Sequence, residues 1–302
     1  MNTPDVVRNA QKLVSDQEGK SFPPQEQTPP GLTGEMTPVP DHGETTWTGR
    51  DRLTGLKAFI TGGDSGIGRA VAIAFAREGA DVALGYMPEE QVDAEETARL
   101  VREAGRTAVL VPADLRTHAE CERSITEAVE GLGRLDVLVN NAGFHWSRGE
   151  EGLAGLDLDD VERTLRTNLH AVIWLCKAAL PHLGEGSCII NTSSVQAYDP
   201  STALIDYAAT KAAINNLTVN LAADLGPKGI RVNAVAPGPI WTPLQPATRK
   251  ASDVETFGAD TPLGRPGQPA EMAGAYVFLA SPEEASYVSG TVVGVTGGKP
   301  VF

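Results

Sequence analysis

Thr61-Gly62-Gly63-Asp64-Ser65-Gly66-Ile67-Gly68 is the stretch on which the reading of this chain turns. It closes a short apolar run, Leu56–Thr61, and opens a helix-like segment that continues to Gly79. Glycine has no Cβ, so here the backbone can turn tightly and come close to a pyrophosphate. A helix that starts near Gly66 presents its unbonded N–H groups and the positive end of its dipole to the same phosphate. The spacing is T-G-x-x-x-G-x-G rather than the G-x-G-x-x-G dinucleotide fingerprint, and alone it says no more than strand, turn, helix. Its position after the first strand of an alternating chain favours a dinucleotide cofactor.

Outward from that turn the alternation is regular. Short apolar runs at Asp81–Tyr86, Arg106–Pro112, Leu135–Asn140, Cys188–Thr192, Ile230–Ala236 and Gly290–Val295 read as further strands, with helix-like segments between them. Near-continuous apolar strands alternating with helices predict a parallel sheet covered on both faces. Right-handed crossovers then give an α/β, doubly wound (Rossmann) sheet of about seven strands in one catalytic domain, residues 51–302. Residues 1–50 differ. Pro23, Pro24, Pro29, Pro30, Pro38 and Pro40 stand among Gln, Glu, Thr and Gly without apolar periodicity. Such a segment forms neither a helix nor a central strand. It is an extended arm, either a free tail or laid over another surface.

Composition narrows the partners. Hydrophobic residues make up 41% of the chain, enough for a large core. A net charge of −14 with no basic stripe argues against nucleic acid and anionic membranes. Cys121, Cys176 and Cys188 lack C-x-x-C spacing and read as small buried hydrophobes. The histidines fall in no metal-binding spacing, so no metal is expected. The longest apolar stretch, Leu169–Leu180, holds His170 and Lys177 and is too short to span a bilayer. With no signal-peptide pattern at the start, the expected location is the cytoplasm.

Tyr207 and Lys211 stand at i and i+4 in Asp206–Leu225, which reads as a helix, so they share one face. A free phenol is about one part in a thousand ionised at neutral pH. A lysine cation within reach would lower its pKa and make it a usable proton donor and acceptor. Ser194 follows an apolar strand, thirteen residues before Tyr207, where a hydroxyl can polarise a substrate carbonyl. By itself Y-x-x-x-K is common, and a surface tyrosine beside a solvated lysine explains it equally well.

Five features occur in a fixed order: the glycine turn, Asn140-Asn141-Ala142-Gly143 after the fourth strand, Ser194, Tyr207-x-x-x-Lys211, and Pro237-Gly238 after the sixth. From about residue 50 to the end, this order resembles the short-chain dehydrogenase/reductase family. The arm, Gly-Gly-Asp-Ser-Gly-Ile-Gly-Arg, Ser-Val-Gln-Ala-Tyr and Pro-Gly-Pro-Ile-Trp-Thr-Pro-Leu are similar to a bacterial subgroup of glucose/ribitol-dehydrogenase-like and general-stress oxidoreductases. The resemblance implies that Tyr207 relays the proton, Ser194 holds the reacting oxygen, Lys211 bonds the nicotinamide ribose and Asn168 orders a water in the relay. It places the dinucleotide on Gly62, Asp64, Ser65, Gly66, Ile67, Gly68, Asp114, Leu115, Asn141, Ala142 and Gly143. Tyr207, Lys211, Pro237, Gly238, Ile240 and Thr242 complete that set.

The residue closing the second strand reads the adenosine ribose: an acid suits the 2′-hydroxyl of NAD, and an arginine the 2′-phosphate of NADP. Tyr86 and Met87 fit neither pattern, no base stands at Ser65, and Glu89 and Glu90 follow. Acids without a phosphate clamp tilt the expectation to NAD, with NADP as the alternative. His145, Trp146, Gln196 and Trp241 are expected to line a substrate pocket at the carboxyl ends of the strands, although loop packing explains each alone. The expected function is hydride transfer between the nicotinamide and a small alcohol or carbonyl compound. Competing readings are an epimerase or dehydratase on the same scaffold and a cofactor-binding regulator without turnover. Residues 239–302 leave little room for the larger substrate domain of the first, and the second needs no proton relay. A homotetramer is expected, in which the family resemblance implies pairing through the helices of Asn168 and Tyr207, with the arm helping to cover a neighbour. Leu169, Ile173, Trp174 and Leu180 supply apolar surface there, and Ala208, Ala209, Ala212 and Ala213 permit close approach.

Overall fold

The structure, a computed structural model, describes residues 22–147 and 152–302. The first 21 residues of the arm lie outside the described residues. Seven parallel strands form one sheet: β1 (Lys57–Thr61), β2 (Asp81–Tyr86), β3 (Ala108–Pro112), β4 (Val137–Asn140), β5 (Cys188–Thr192), β6 (Arg231–Pro237) and β7 (Val292–Val295). Their spatial order is β3-β2-β1-β4-β5-β6-β7. The order reverses between β1 and β4, where Ala58 pairs with Val137 and Ile60 with Val139. A ligand crevice opens at such a switch point, beyond the carboxyl ends of the strands.

Strand alternation sorts the core into two layers. Ala58, Ile60, Val82, Leu84, Val137 and Val139 face α1 (Gly66–Arg77), part of α2 (Gln91–Glu103) and α9 (Pro269–Ala280). Phe59, Ala83, Leu138, Ile189 and Val232 face the other way, onto α3 (His118–Leu132), α5 (Ala171–Ala179) and α6 (Ile205–Leu225). Period-two placement thus buries both faces of every inner strand. α4 (Leu158–Leu165) runs through a π turn, Arg166–His170, directly into α5. The remaining helices, α7 (Leu244–Thr248) and α8 (Ala251–Val254), are short and lie over the crevice.

The described part of the arm packs on its own chain. Phe22 stacks on Trp241 with ring centroids 3.8 Å apart, and with Met36 and Val254 they form a small separate core. Trp241 Nε1 donates to Pro38 O at 2.8 Å, Ala251 N to Glu26 Oε1 at 2.8 Å, and Gln27 N to Pro246 O at 2.9 Å. Farther along, the fully buried Glu78 accepts from Arg50 N, Arg52 N, the Arg52 guanidinium and Trp47 Nε1. Gly49 fits there because an added Cβ would stand 1.8 Å from Arg77 O. A proline-rich chain cannot join a sheet ladder, so its backbone groups are satisfied by side chains and loop carbonyls instead.

Candidate active site

The crevice is a cleft of about 760 Å³ that runs across the carboxyl ends of the strands. Its floor is the glycine turn. Gly62 (φ +62°) and Gly66 (φ +48°) hold the left-handed backbone that suits glycine. A Cβ at Gly68 would stand 1.8 Å from Gly62 O, so Gly68 serves close packing of helix on turn and does not line the cleft. Thr61 Oγ1 accepts from Asn141 N at 3.0 Å and Ala142 N at 3.1 Å, while Asn141 Nδ2 donates to Thr61 O and Gly62 O. These bonds lock the turn to the end of β4. α1 then begins at Gly66, with the free N–H groups of its first turn at the cleft. Backbone donors, left-handed glycines and an open groove fit a dinucleotide pyrophosphate.

Acids gather where β2 ends. Asp64 is buried, and burial pushes its carboxyl up to about 6. Burial, and then the Asp64 charge, push Glu90 up to about 9. The nearby cations are committed: Arg69 binds Asp93 Oδ1 at 2.9 Å and Asp64 O at 2.8 Å, and Arg116 clamps Asp114 with both carboxylate oxygens engaged.

The reacting end is built by β5 and α6. Lys211 Nζ donates to Thr192 O at 2.7 Å, and Ser193 Oγ donates to Lys211 O, so strand end and helix are tied together. Burial pushes Lys211 down to about 7. Burial pushes Tyr207 up, while a hydrogen bond with Ser194 and the charge of Arg249 pull it down. The Lys211 ammonium stands 5.4 Å from the centre of the Tyr207 ring. Ser194 Oγ accepts from Gln196 N, and Gln196 Oε1 accepts from Ser201 N. Asn168 sits in the π turn and is fully buried. It accepts from Phe144 N at 2.7 Å and donates to Phe144 O at 2.8 Å and Thr210 Oγ1 at 3.3 Å. A Cβ on Gly143 would lie 3.6 Å from Asn168 Oδ1 and 3.7 Å from Lys211 Nζ, so the two polar side chains converge beside that glycine. A π turn inserts one residue and re-aims a side chain, a frequent device at functional sites.

All the site residues expected from sequence line the cleft except Gly68, Asn168, Trp146 and Trp241. Asn168 lies one layer behind it. Trp146 is partly exposed and stacked near Phe144. Trp241, expected in the substrate pocket, is fully buried and anchors the arm, because its ring meets Phe22 and its N–H meets Pro38 O. His145 meets Tyr207 edge-on at 5.2 Å. Burial, and then the charges of Arg249 and Lys211, push it down to about 3, so it is neutral. Sequence reasoning missed Arg249, Arg163, and Pro29 and Pro30 of the arm, all of which line the cleft. None of them belongs to a periodic pattern, and only tertiary packing brings them there.

The chain is similar to known proteins in sequence and in fold. A family model described as enoyl-(acyl carrier protein) reductase matches residues 62–299. The chain belongs to the short-chain dehydrogenase/reductase family. Within the family it is similar to the uncharacterized oxidoreductase YhxD of Bacillus subtilis, 52% identical over 92% of this chain and 94% of that protein. Glucose and ribitol dehydrogenase homolog 2 of Arabidopsis thaliana is 44% identical over 92% of this chain and 97% of its own. A short-chain dehydrogenase from Burkholderia cenocepacia, solved with NADP, superposes with a TM-score of 0.75 at 37% identity. It covers 82% of this chain and 99% of its own. Among the described residues, no helix is long and apolar enough to cross a membrane.

Proposed function

We propose that the protein transfers hydride between a nicotinamide dinucleotide and a small alcohol or carbonyl compound, with Tyr207 as acid and base. The observation that carries this is the meeting of the glycine turn with Ser194, Tyr207 and Lys211 in one cleft. The bound nicotinamide supplies or accepts the hydride. The Ser194 hydroxyl holds the substrate oxygen, and the Tyr207 phenol gives that oxygen a proton in reduction or removes it in oxidation. Lys211 keeps two N–H bonds beyond the one spent on Thr192 O, which suits a ribose hydroxyl. Asn168 is locked by three bonds and gives the proton path a fixed polar wall. Replacing Tyr207 by Phe is expected to cost roughly 10²–10⁴-fold in turnover while cofactor affinity holds. Near-normal turnover of Tyr207→Phe would overturn the reading.

The preference between nicotinamides is inferred from the ribose end. The cations beside it, Arg69 and Arg116, are already bound to acids, and Glu90, pushed up to about 9, is a neutral hydrogen-bonding acid suited to a ribose hydroxyl. With those cations committed to acids, we read the cofactor as NAD, with NADP as the alternative. Calorimetry with both cofactors tests this, and tighter binding of NADP would reverse it. We also infer a homotetramer: Ile173 and Val219 are 43% and 54% exposed on α5 and α6, and the outer strand β7 is only half-buried. A monomer in light scattering would remove that inference.

A further inference from the structure

Arg249 stands between α7 and α8, under the roof of the cleft. The Oγ1 of its neighbour Thr248 lies 3.3 Å from His145 Nδ1, and the His145 ring meets Tyr207 at 5.2 Å. The guanidinium therefore belongs to the Tyr207 end of the cleft rather than the glycine-turn end. Among the described residues Arg249 makes no ion pair, and its one side-chain hydrogen bond uses Nε, to Gln245 Oε1 at 2.9 Å. Its carbon Cζ lies 5.1 Å from the centre of the Phe257 ring. Gln245 and Phe257 thus fix the plane of the fork, and among the described residues the Nη donors make no hydrogen bond or ion pair.

With a net charge of −14 the chain has acids to spare, and several interior cations take them, Arg69 with Asp93, Arg52 with Glu78 and Arg265 with Glu271, while Arg77, Lys211 and Arg231 bond backbone carbonyls instead. Burial works against the Arg249 cation, and Asp253, the acid that opposes this, stands outside ion-pair distance. A cation in a cleft, with a planar fork held by its neighbours and its Nη donors uncommitted among the described residues, is suited to a bidentate anion.

We propose that Arg249 binds an anionic group on the substrate, a carboxylate or a phosphate, so that the protein acts on aldehydes or ketones that carry such a group close to the reacting carbon. This rests on the hydride-transfer reading above. The test compares kcat/KM for succinic semialdehyde against butanal, and for glyceraldehyde 3-phosphate against glyceraldehyde, in the native protein, Arg249→Gln and Arg249→Lys. The native protein is expected to favour the charged member of at least one pair by roughly 10–100-fold, the worth of hydrogen bonds to a charged group. Whichever pair shows the larger ratio names the anion. The ratio should collapse in Arg249→Gln, mainly through KM, and be partly restored in Arg249→Lys. Because a ratio is read, any general effect of Arg249 on Tyr207 cancels. Equal use of charged and neutral aldehydes, or a ratio that survives Arg249→Gln, would overturn the inference and leave hydride transfer standing. No turnover of any of the four compounds would overturn both.

Discussion

The floor of the cleft and its roof reach the same place by different means. The floor, Thr61–Gly68, is shaped by what is missing: a Cβ at Gly68 would strike Gly62 O, and Gly62 and Gly66 hold positive φ. Its neighbours on the sheet are set by strand order, and its pattern is written in eight consecutive residues. The roof, Trp241–Gly258, is shaped by what is added. Residues 22–40 cross it, and the bonds that join the two lie more than two hundred positions apart, such as Trp241 Nε1 to Pro38 O and Ala251 N to Glu26 Oε1. A backbone cradle is specified locally, whereas a strapped loop is specified by side chains that find each other only after the sheet has formed.

The largest effect should come from cutting the strap at its centre. Trp241→Ala removes a fully buried ring, the stacking partner of Phe22 and the donor to Pro38 O. Loss of a buried tryptophan costs about 3–5 kcal/mol, which denaturant unfolding would read. Amide exchange should also rise through residues 22–40 while β1 and β4 keep their protection. Equal loss of protection in strap and sheet would break the comparison, since the roof would then fold as one unit with the floor.

A smaller effect is expected from filling the floor. Gly68→Ala forces a methyl group onto a backbone carbonyl that has no free rotamer to move, at about 1–3 kcal/mol. The damage should appear first as weaker dinucleotide binding, because the displaced atom belongs to the turn. Gly34 in the arm is the control: nothing lies within 4 Å of its added Cβ, and Gly34→Ala should change stability by less than about 0.5 kcal/mol. Similar costs at the two positions would mean that the missing Cβ is not what shapes the floor.

How far the sequence could be read follows the same division. Strand positions were legible to within two residues because each inner strand is an apolar run buried on both faces. The glycine turn, Ser194, Tyr207 and Lys211 were each ambiguous alone, and they stood out only because they follow strand ends in the fixed order that carries the family resemblance. Trp241 was not legible, since an aromatic after Pro-Gly can turn toward the cleft or away from it, and only the presence of Phe22 decides. Arg249 was invisible for a related reason. Nothing in its neighbourhood in sequence says that Thr248 will meet His145, residues separated by 103 positions.

The smallest effect is a dependence on pH, and it sharpens the contrast by testing a side chain on the wall between floor and roof. Burial pushes Lys211 from the ordinary lysine value of 10.5 down to about 7. For stability the sign is fixed: between those values the unfolded chain binds more protons than the folded one, so this group's contribution to stability rises with pH across that window. For binding the sign is opposite. A dinucleotide brings negative phosphates into the cleft and holds the proton on Lys211, so the complex binds more protons than the free protein above about pH 7. The dissociation constant should therefore be flat from pH 6 to 7 and then rise by at most about tenfold per pH unit, which is about 1.4 kcal/mol. Calorimetry at pH 8 in two buffers of different ionisation enthalpy should record proton uptake on binding. Lys211→Met should bind more weakly at pH 6 and lose both the uptake and the slope. A native dissociation constant that stays flat from pH 6 to 9 would show that Lys211 is already charged throughout, with Thr192 O and nearby water offsetting its burial.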